Sequence, residues 1–306
     1  MDWEVRLIAW LQSSFGSFSR IFGSIFSFIG GETGLLLLLV AVLFCWKKEA
    51  GQKLILMIAS LLTWFAMVKA LVLRPRPYME HPGEVEPLAL VNREASAADV
   101  AAQGYSFPSM HSGSVLAGYF TLAQEIKKKW SWIFAAVLTF LVGLSRVVTG
   151  NHYPTDVLAG WVFGLAVMGI FELIGRCVPK EWARRLLLLA VTLPGLIYVR
   201  TADYFTALGL LIGAVIAIPF ERKYVNYQDT RNIWAMILRT AGAFVFYFGL
   251  NTLLKMPFSD EFLDSAGLGA LLVRTARYTV DLFVIMGIYP KIFPLFEMVG
   301  QRKKAG

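Results

Sequence analysis

Residues 54–73, LILMIASLLTWFAMVKALVL, decide the fold class, because they form an apolar run in which Lys69 is the only charged residue. As a helix, this run is long enough to cross a hydrocarbon layer of about 30 Å. Backbone that faces lipid must satisfy its own hydrogen bonds, and the run lacks the alternating pattern of a membrane β-barrel strand. The stretch therefore predicts a transmembrane helix.

Similar apolar runs recur along the chain, of whose 306 residues 57% are hydrophobic and only 16% are charged. The further candidates are residues 34–46, 112–126, 131–148, 157–174, 186–199, 204–220, 233–250 and 268–288. Soluble globular domains do not have this composition. The sequence predicts an all-α, polytopic transmembrane helical bundle that crosses the membrane nine times.

Residues 1–30 are also apolar, but charged residues, serines and glycines interrupt them. Trp3, Leu7, Trp10 and Leu11 recur at helical spacing, which favours an amphipathic helix at the membrane interface over a full span. A cleaved signal peptide is not predicted, because no small-residue cleavage site follows a short apolar core.

The net charge of +8 follows the topology and does not form a single basic surface. The basic clusters on one side of the membrane are Lys47, Lys48 and Lys53; Lys127, Lys128 and Lys129; Arg176, Lys180, Arg184 and Arg185; Arg222 and Lys223; and Arg302, Lys303 and Lys304. The positive-inside rule makes this side the cytoplasm, with the C-terminus on it. The charge therefore gives no indication of a nucleic-acid partner.

The first polar patch lies at the outer end of the run 54–73, where Lys69 is followed by Arg74 and Arg76. The intervening and following prolines fix the backbone there. These cations can either form part of a site or extend to the membrane interface as ordinary basic anchors.

The second patch is YSFPSMHSGS, residues 105–114, which precedes another apolar run. Pro108 predicts a helix start with Ser109, His111 and Ser112 in the first turn. Unpaired N–H groups and the positive end of the helix dipole favour an anion at this position. The simpler alternative is a serine cap with an incidental histidine.

The third patch is SRVVTGNHYPTDVLAG, residues 145–160, which contains Arg146, His152 and Asp156. If a helix begins near residue 152, the carboxylate lies one turn along the same face and can accept a hydrogen bond from the imidazole. The alternative is a His–Asp contact at the surface.

Alternating crossings place all three patches on one face of the membrane, beside the long polar segment 74–107, which we expect to act as a lid. Basic side chains match phosphate oxygens, and two histidines and a carboxylate can supply a nucleophile and a proton donor. Asp156 is the only acid in the three patches, which disfavours a dimetal phosphatase site, and two cysteines are too few for a thiolate site. The patches therefore favour phosphoryl transfer and leave a metal route as the weaker alternative, and no cofactor is predicted.

Together the patches resemble the three-part signature of the type 2 phosphatidic acid phosphatase family, over roughly residues 30–175. The matching residues are Lys69 and Arg76–Pro77, then Pro108, Ser109 and His111, then Ser145–Arg146, His152 and Asp156. Met110 stands where the family usually has glycine, which leaves the substrate class open.

The resemblance implies that His152 is the nucleophile, that Asp156 orients it, and that His111 protonates the leaving oxygen and then activates water. It also implies that Lys69, Arg76, Ser109 and Arg146 bind the phosphate. Arg74 lies between the fixed positions of the signature, as either another phosphate ligand or an interface anchor.

The implied activity is the hydrolysis of a membrane lipid phosphate or pyrophosphate, such as phosphatidate, polyprenyl pyrophosphate or a sphingoid phosphate, at the extracytoplasmic face. A lipid phosphotransferase with the same site and a lipid transporter are the alternatives. The substrate and the oligomeric state are not indicated. The predicted parts are an interfacial segment at residues 1–30, a catalytic core at 31–176 and an extension of about four spans at 177–306.

The predicted extension carries four charged residues within apolar runs: Arg239, Arg274, Arg277 and Asp281. Arg277 and Asp281 have the spacing of an internal ion pair, and the alternative is a second polar cavity for a lipid head group. Small residues four positions apart, at 160 and 164 and at 209 and 213, predict close helix contacts.

Overall fold

The computed structural model describes residues 3–92, 94–265 and 267–299, and these residues form helices and connecting loops without a β-strand. The helices are α1 Trp3–Phe15, α2 Phe18–Gly30, α3 Glu32–Ala41, α4 Lys48–Val72, α5 Pro77–Glu80, α6 Val100–Gln103, α7 Met110–Ile126 and α8 Lys129–Val148. They continue with α9 Pro154–Cys177, α10 Glu181–Ala190, α11 Gly195–Tyr198, α12 Ala202–Tyr224, α13 Ile233–Lys255, α14 Asp260–Asp264, α15 Leu268–Phe283 and α16 Phe293–Glu297. The predicted all-α fold is confirmed.

Six helical segments of the described chain are long and apolar enough to cross a membrane. These segments are Lys48–Glu80, Lys129–Val148, Pro154–Cys177, Ala202–Tyr224, Ile233–Lys255 and Leu268–Glu297. A seventh is possible if Phe18–Gly30 and Glu32–Trp46, which meet at 43°, form one bent span. The protein is therefore a multi-pass membrane protein, with fewer such segments than the nine crossings expected.

The predicted span 186–199 is wrong, because the chain there does not form one helix. Helix α10 ends at Ala190, a turn follows, and α11 has only 4 residues. Pro194 has no N–H with which to continue the helical hydrogen bonds. The turn is also held from outside, since the Tyr204 hydroxyl donates to the Thr192 carbonyl at 2.7 Å. Three of the expected C-terminal spans remain.

The chain divides into two compact units, and the predicted division at residues 31 and 177 stays a prediction. Unit 1 comprises Met1–Leu36 and Met67–Leu173, and unit 2 comprises Leu37–Ala66 and Ile174–Gly306. Helix α4 contributes its first part to unit 2 and its last part, with Lys69, to unit 1.

Helix α1 packs into the core of unit 1 by one face. Val5, Ile8 and Leu11 are buried in a cluster with Tyr78, Val147 and other apolar residues of this unit, whereas Trp3 and Trp10 are exposed. The predicted helix at the N-terminus is present, but its buried stripe differs from the expected one. Its location at the membrane interface stays a prediction.

Within unit 1, α7 and α9 approach closely at two glycines, as the sequence predicts. A Cβ atom at Gly160 would lie 2.5 Å from the carbonyl oxygen of Ser109, and one at Gly164 would lie 2.9 Å from that of Gly113. Since no larger residue fits there, the start of α7 is held against the first turns of α9. The second and third patches of the sequence are joined by this contact.

Within unit 2, α12 and α15 make the other predicted close contact. A Cβ at Gly209 would lie 2.5 Å from the Thr275 carbonyl oxygen, and one at Gly213 would lie 2.9 Å from that of Thr279. Threonine hydroxyls reinforce the contact, since Thr279 donates to the Gly209 carbonyl at 3.1 Å. This contact lies between helices of one chain and indicates nothing about dimerisation.

The internal ion pair expected between Arg277 and Asp281 has no hydrogen bond between the two side chains. Arg277 donates to Asn251 Oδ1 on α13, and neither buried carboxylate oxygen of Asp281 has a hydrogen-bond partner among the described residues. Arg239, by contrast, pairs with Glu297 at 2.8 Å. Helical spacing alone therefore did not identify the partners of these charges.

Candidate functional site

All eight predicted site residues lie in unit 1. The positive charges of Lys69, Arg76 and Arg146 act on the imidazoles of both His111 and His152, which places the three sequence patches around one region. The site is therefore assembled from the end of α4, the start of α7, the end of α8 and the start of α9.

The side chain of His152 is buried, and its two ring nitrogens face different groups. Nε2 lies 3.5 Å from Arg76 Nη1, and Nδ1 lies 3.7 Å from Asp156 Oδ2. The backbone N–H of His152 donates to the Arg146 carbonyl at 3.1 Å, and Gly150, with φ +73°, allows the turn before it. This turn fixes the ring between a cation and a carboxylate.

The predicted hydrogen bond from the imidazole to Asp156 is not formed in the structure, because 3.7 Å exceeds hydrogen-bonding distance. Helix α9 begins at Pro154 and not near residue 152, so the two side chains do not share one helical face. Asp156 Oδ2 instead accepts from the backbone N–H of Tyr153 at 2.8 Å. The alternative of a surface contact is also wrong, since both side chains are buried.

Electrostatics keep His152 neutral in the site as described. Burial, together with the positive charges of Arg76, Arg146 and Lys69, holds the pKa of His152 well below its ordinary value. A neutral imidazole has a lone pair on one nitrogen, which a nucleophile requires.

Arg76 is buried and anchored by backbone carbonyls. Its Nε donates to the carbonyls of Gln103 at 2.9 Å and Gly104 at 3.1 Å, and its Nη1 donates to that of Asn151 at 3.0 Å. Neutral carbonyls orient the guanidinium without cancelling its charge. The segment after α5, predicted as a lid, therefore contributes to positioning a cation that the sequence predicts to bind phosphate.

Lys69 and Arg146 are held from different directions. Lys69 Nζ donates to the Tyr105 carbonyl at 2.7 Å, and Arg146 Nη1 donates to Ser27 Oγ at 2.6 Å. The buried Nε of Arg146 has no hydrogen-bond partner among the described residues. A buried charged donor without an acceptor is costly, and an anion in the site would satisfy it.

Ser109 occupies the N-cap position of α7, but its hydroxyl does not cap the helix. Its Oγ lies 2.9 Å from Ser112 Oγ, and its backbone N–H donates to the Asp156 carbonyl at 3.0 Å. The alternative of a simple serine cap is therefore wrong. His111 follows in the first turn, where a Cβ placed on Gly31 would lie 3.7 Å from its Nε2.

Arg74 makes contacts that the sequence did not predict. Its Nη1 donates at 2.8 Å to both Asp156 Oδ1 and Thr155 Oγ1, and its Nη2 donates to Glu4 Oε2 at 2.9 Å. The guanidinium also stacks on the Tyr153 ring, 3.7 Å from its centroid. Arg74 is therefore a partner of carboxylates.

The residues of the site that were not predicted include Glu4, Ser27, Gln103, Gly104 and Asn151. Only Glu4 could have been inferred from the sequence. It shares a helical face with the buried Ile8 and Leu11, and a buried carboxylate requires a hydrogen-bond or ion-pair partner. Gln103 and Asn151 act through main-chain carbonyls, which carry no residue-specific signal in the sequence.

The arrangement combines several donors for an anion with a neutral imidazole that is close to one of them. Three cations with a serine at a helix start can bind phosphate oxygens, and His152 lies 3.5 Å from the Arg76 donor. Among the described residues, no group of three His, Cys, Asp or Glu side chains is arranged to hold a metal ion.

Two family models match this chain. Residues 53–177 match the PAP2 superfamily, and residues 205–302 match the PAP2 superfamily phosphatase, transmembrane extension. The first match contains the predicted site residues, and the second covers most of the predicted C-terminal extension.

Short segments of the chain are also similar to characterised phosphatases. Undecaprenyl-diphosphatase of Sulfolobus acidocaldarius is 45% identical over 60 residues, which are 20% of this chain and 29% of that protein. Phosphatidylglycerophosphatase B of Bacillus subtilis is 39% identical over 85 residues, or 24% and 42% of the two chains. Lipid A 4'-phosphatase of Bacteroides thetaiotaomicron is 33% identical over 61 residues, or 20% and 27%. The chain thus spans less than half the length of these relatives, and no solved structure matches it significantly.

Proposed function

This chain belongs to the PAP2 superfamily, and on that premise we propose that it is an integral membrane phosphatase that hydrolyses a lipid phosphate or pyrophosphate. The names of the similar proteins include a polyprenyl diphosphatase, a glycerophospholipid phosphatase and a lipid A phosphatase. All three names share a phosphate ester or anhydride on a membrane lipid. Phosphatidate, polyprenyl pyrophosphate and sphingoid phosphates are candidate substrates.

The observation that supports this activity most strongly is the orientation of the His152 ring. Nε2 faces the Arg76 guanidinium at 3.5 Å, and Nδ1 faces the Asp156 carboxylate at 3.7 Å. A phosphate held by Arg76 would lie next to Nε2, while Asp156 would stabilise the positive charge that the ring acquires.

The first chemical step transfers the phosphoryl group to the enzyme. His152 Nε2 attacks phosphorus, an N–P bond forms, and the bond from phosphorus to the lipid oxygen breaks. His111 enters this step as an imidazolium, donates its proton to that oxygen and becomes neutral, so the lipid alcohol (or the lipid monophosphate, from a pyrophosphate) leaves neutralised. Lys69, Arg76, Ser109 and Arg146 bind the transferred oxygens throughout.

The second step returns the enzyme to its starting state. The neutral His111 takes a proton from water, the water oxygen attacks phosphorus, and the N–P bond breaks to release inorganic phosphate and the free imidazole of His152. In this sequence of steps no redox change occurs and no metal participates.

We also propose a side of the membrane for this site. The positive-inside rule places the basic ends of the spans in the cytoplasm, and therefore the site on the extracytoplasmic face. The predicted cytoplasmic C-terminus rests on Arg302, Lys303 and Lys304, which lie outside the described residues.

A panel of lipid phosphates on the purified protein tests the function. We expect release of inorganic phosphate from at least one lipid, and transient ³²P labelling of the protein that is stable to base and labile to acid, as for a phosphoramidate. His152→Ala should show neither. Transfer of the label to a lipid acceptor without free phosphate would identify a phosphotransferase. Lipid movement that persists in His152→Ala, with no hydrolysis by the wild type, would identify a transporter.

A further inference from the structure

We propose that Glu4, in the N-terminal helix and outside both family matches, is a positioning residue that sets the charge and orientation of Asp156 behind His152. The inference rests on the proposed phosphatase function. It assigns to α1 a part in the reaction beyond packing.

Glu4 is buried, and each of its carboxylate oxygens is bound. Oε2 accepts from Arg74 Nη2 at 2.9 Å. Oε1 accepts from the backbone N–H of Thr155 at 3.0 Å and from its hydroxyl at 2.7 Å. The carboxylate therefore binds both Arg74 and Thr155 in the first turn of α9. Asp156 follows Thr155 directly in the sequence.

Arg74 connects the two carboxylates. Its Nη1 donates to Asp156 Oδ1 and its Nη2 to Glu4 Oε2, so one cation is shared between two anions. The three charges sum to −1. Without Glu4 the sum would be zero, and Arg74 would neutralise Asp156 alone. Glu4 thus leaves a net negative charge behind the imidazole that becomes cationic when phosphorylated.

Apolar contacts also hold α1 in place. Val5, Ile8 and Leu11 are buried on the same helix in the apolar cluster of unit 1. A buried ion pair contributes little to stability compared with apolar residues of similar size. A buried glutamate at this position therefore needs a reason other than anchoring, and its contacts lead to Asp156.

The decisive variant is Glu4→Gln, which keeps the shape and removes the charge. We expect kcat for lipid phosphate hydrolysis to fall roughly tenfold to a hundredfold, as for other partners that orient a histidine, with KM changed less than about threefold. Glu4→Asp should recover part of the loss. Glu32→Gln, an exposed carboxylate at the start of α3, is the matched control and should behave as wild type.

Two further measurements separate positioning from packing. Ile8→Ala should lower the melting temperature at least as much as Glu4→Gln but with a smaller loss of kcat. NMR titration of His152 should show a lower pKa in Glu4→Gln, since a negative charge near the ring is lost while Arg76, Arg146, Lys69 and His111 remain. This titration needs no substrate, so it tests the inference even if the wild type hydrolyses no lipid phosphate.

The inference is overturned if Glu4→Gln keeps kcat within twofold and leaves the His152 titration unchanged. It is also overturned if Glu4→Gln and Ile8→Ala lose activity in proportion to their loss of thermal stability. Failure of the proposed function would look different: the wild type would release no phosphate, or His152→Ala would remain active.

Discussion

Asp156 accepts a hydrogen bond from Arg74 at 2.8 Å. Asp156 was expected to bind His152, the proposed nucleophile, but the hydrogen bond that its side chain makes through Oδ1 is to a guanidinium. Because Arg74 Nη2 also binds Glu4, removing the arginine would leave two buried carboxylates without their cation.

We predict that Arg74→Met destabilises the protein by about 3 kcal/mol or more, the usual cost of leaving a buried charge unpaired. The loss of phosphate release should exceed what the melting temperature explains, because Asp156 loses its orientation. Thermal unfolding in detergent and a phosphate-release assay measure the two effects. Arg74→Lys should keep the positive charge but lose the guanidinium geometry that binds both carboxylates. Its stability and activity should therefore lie between those of the wild type and Arg74→Met. A fully active Arg74→Met would contradict the role given to this residue.

His152 and His111 are predicted to fail at different steps. His152→Ala should form no phosphoenzyme with any substrate, since the attacking nitrogen is absent. His111→Ala should reduce turnover of a lipid phosphate by about 10²-fold to 10⁴-fold. With p-nitrophenyl phosphate, whose leaving group needs no proton, the rate of phosphoenzyme formation in His111→Ala should recover. Phosphoenzyme should then accumulate, because His111 is not present to activate water. Rapid-quench ³²P labelling measures this, and membrane insertion of both variants is the control. Equal labelling of the two variants would refute the division of roles.

A chelator is predicted to leave activity unchanged. The proposed steps use side-chain nitrogens and cations of the protein, so phosphate release should be the same in EDTA and in added Mg²⁺. A loss of activity in EDTA that a divalent ion restores would count against the histidine mechanism.

The clustering of the candidate site residues could be predicted from the sequence because topology is a strong constraint. Lys69, Ser109, Arg146 and His152 lie at ends of predicted spans that alternate along the chain, so the sequence predicts that they reach the same face. Their convergence in unit 1 agrees with that expectation. Close packing at Gly160 and Gly164 was also predictable, because small residues at this spacing need no further context.

The predictions that were wrong rest on local sequence patterns, and in each case residues outside the pattern determine the structure. Pro194 interrupts an apolar run that hydropathy alone counts as a span, and Pro154 delays the helix that was to pair His152 with Asp156. The partnership of Glu4 with Arg74 joins residues 70 positions apart, and no local pattern contains it. Spacing likewise paired Arg277 with Asp281, although Asn251 on another helix is the partner of the arginine.

The depressed pKa of His152 predicts how activity responds to acid. The pH profile of kcat/KM reports the groups of the free enzyme, and the imidazole must be neutral to attack. Because burial and three nearby cations disfavour protonation of His152, the acid limb of kcat/KM that reports this imidazole should lie below 6.5, the ordinary value for histidine. An acid limb centred at or above 6.5 in the wild type would contradict this assignment.

The same shift makes the protein less stable in acid. As the pH falls below about 6.5, the unfolded chain binds a proton at residue 152 that the folded protein does not, so the free energy of unfolding decreases. Above that pH both states are neutral and the histidine contributes nothing. Melting temperatures of the wild type and His152→Gln between pH 8 and pH 5 measure this, and the variant should lose less stability. Parallel curves would show that His152 does not titrate differently on folding.

The contact between α7 and α9 predicts a geometric effect on catalysis that needs no change of charge. In Gly160→Ala the new Cβ would lie 2.5 Å from the Ser109 carbonyl oxygen, so the two helices must separate. Ser109 would move, and with it the hydrogen bond from its N–H to the Asp156 carbonyl. A displacement of about 1 Å can reduce a rate about a hundredfold, so we expect a large loss of kcat with a modest fall in melting temperature. Gly169→Ala is the matched control on the same helix, since nothing lies within 4 Å of its Cβ position. If both alanine variants were equally active, the packing at Gly160 would not set the position of Ser109.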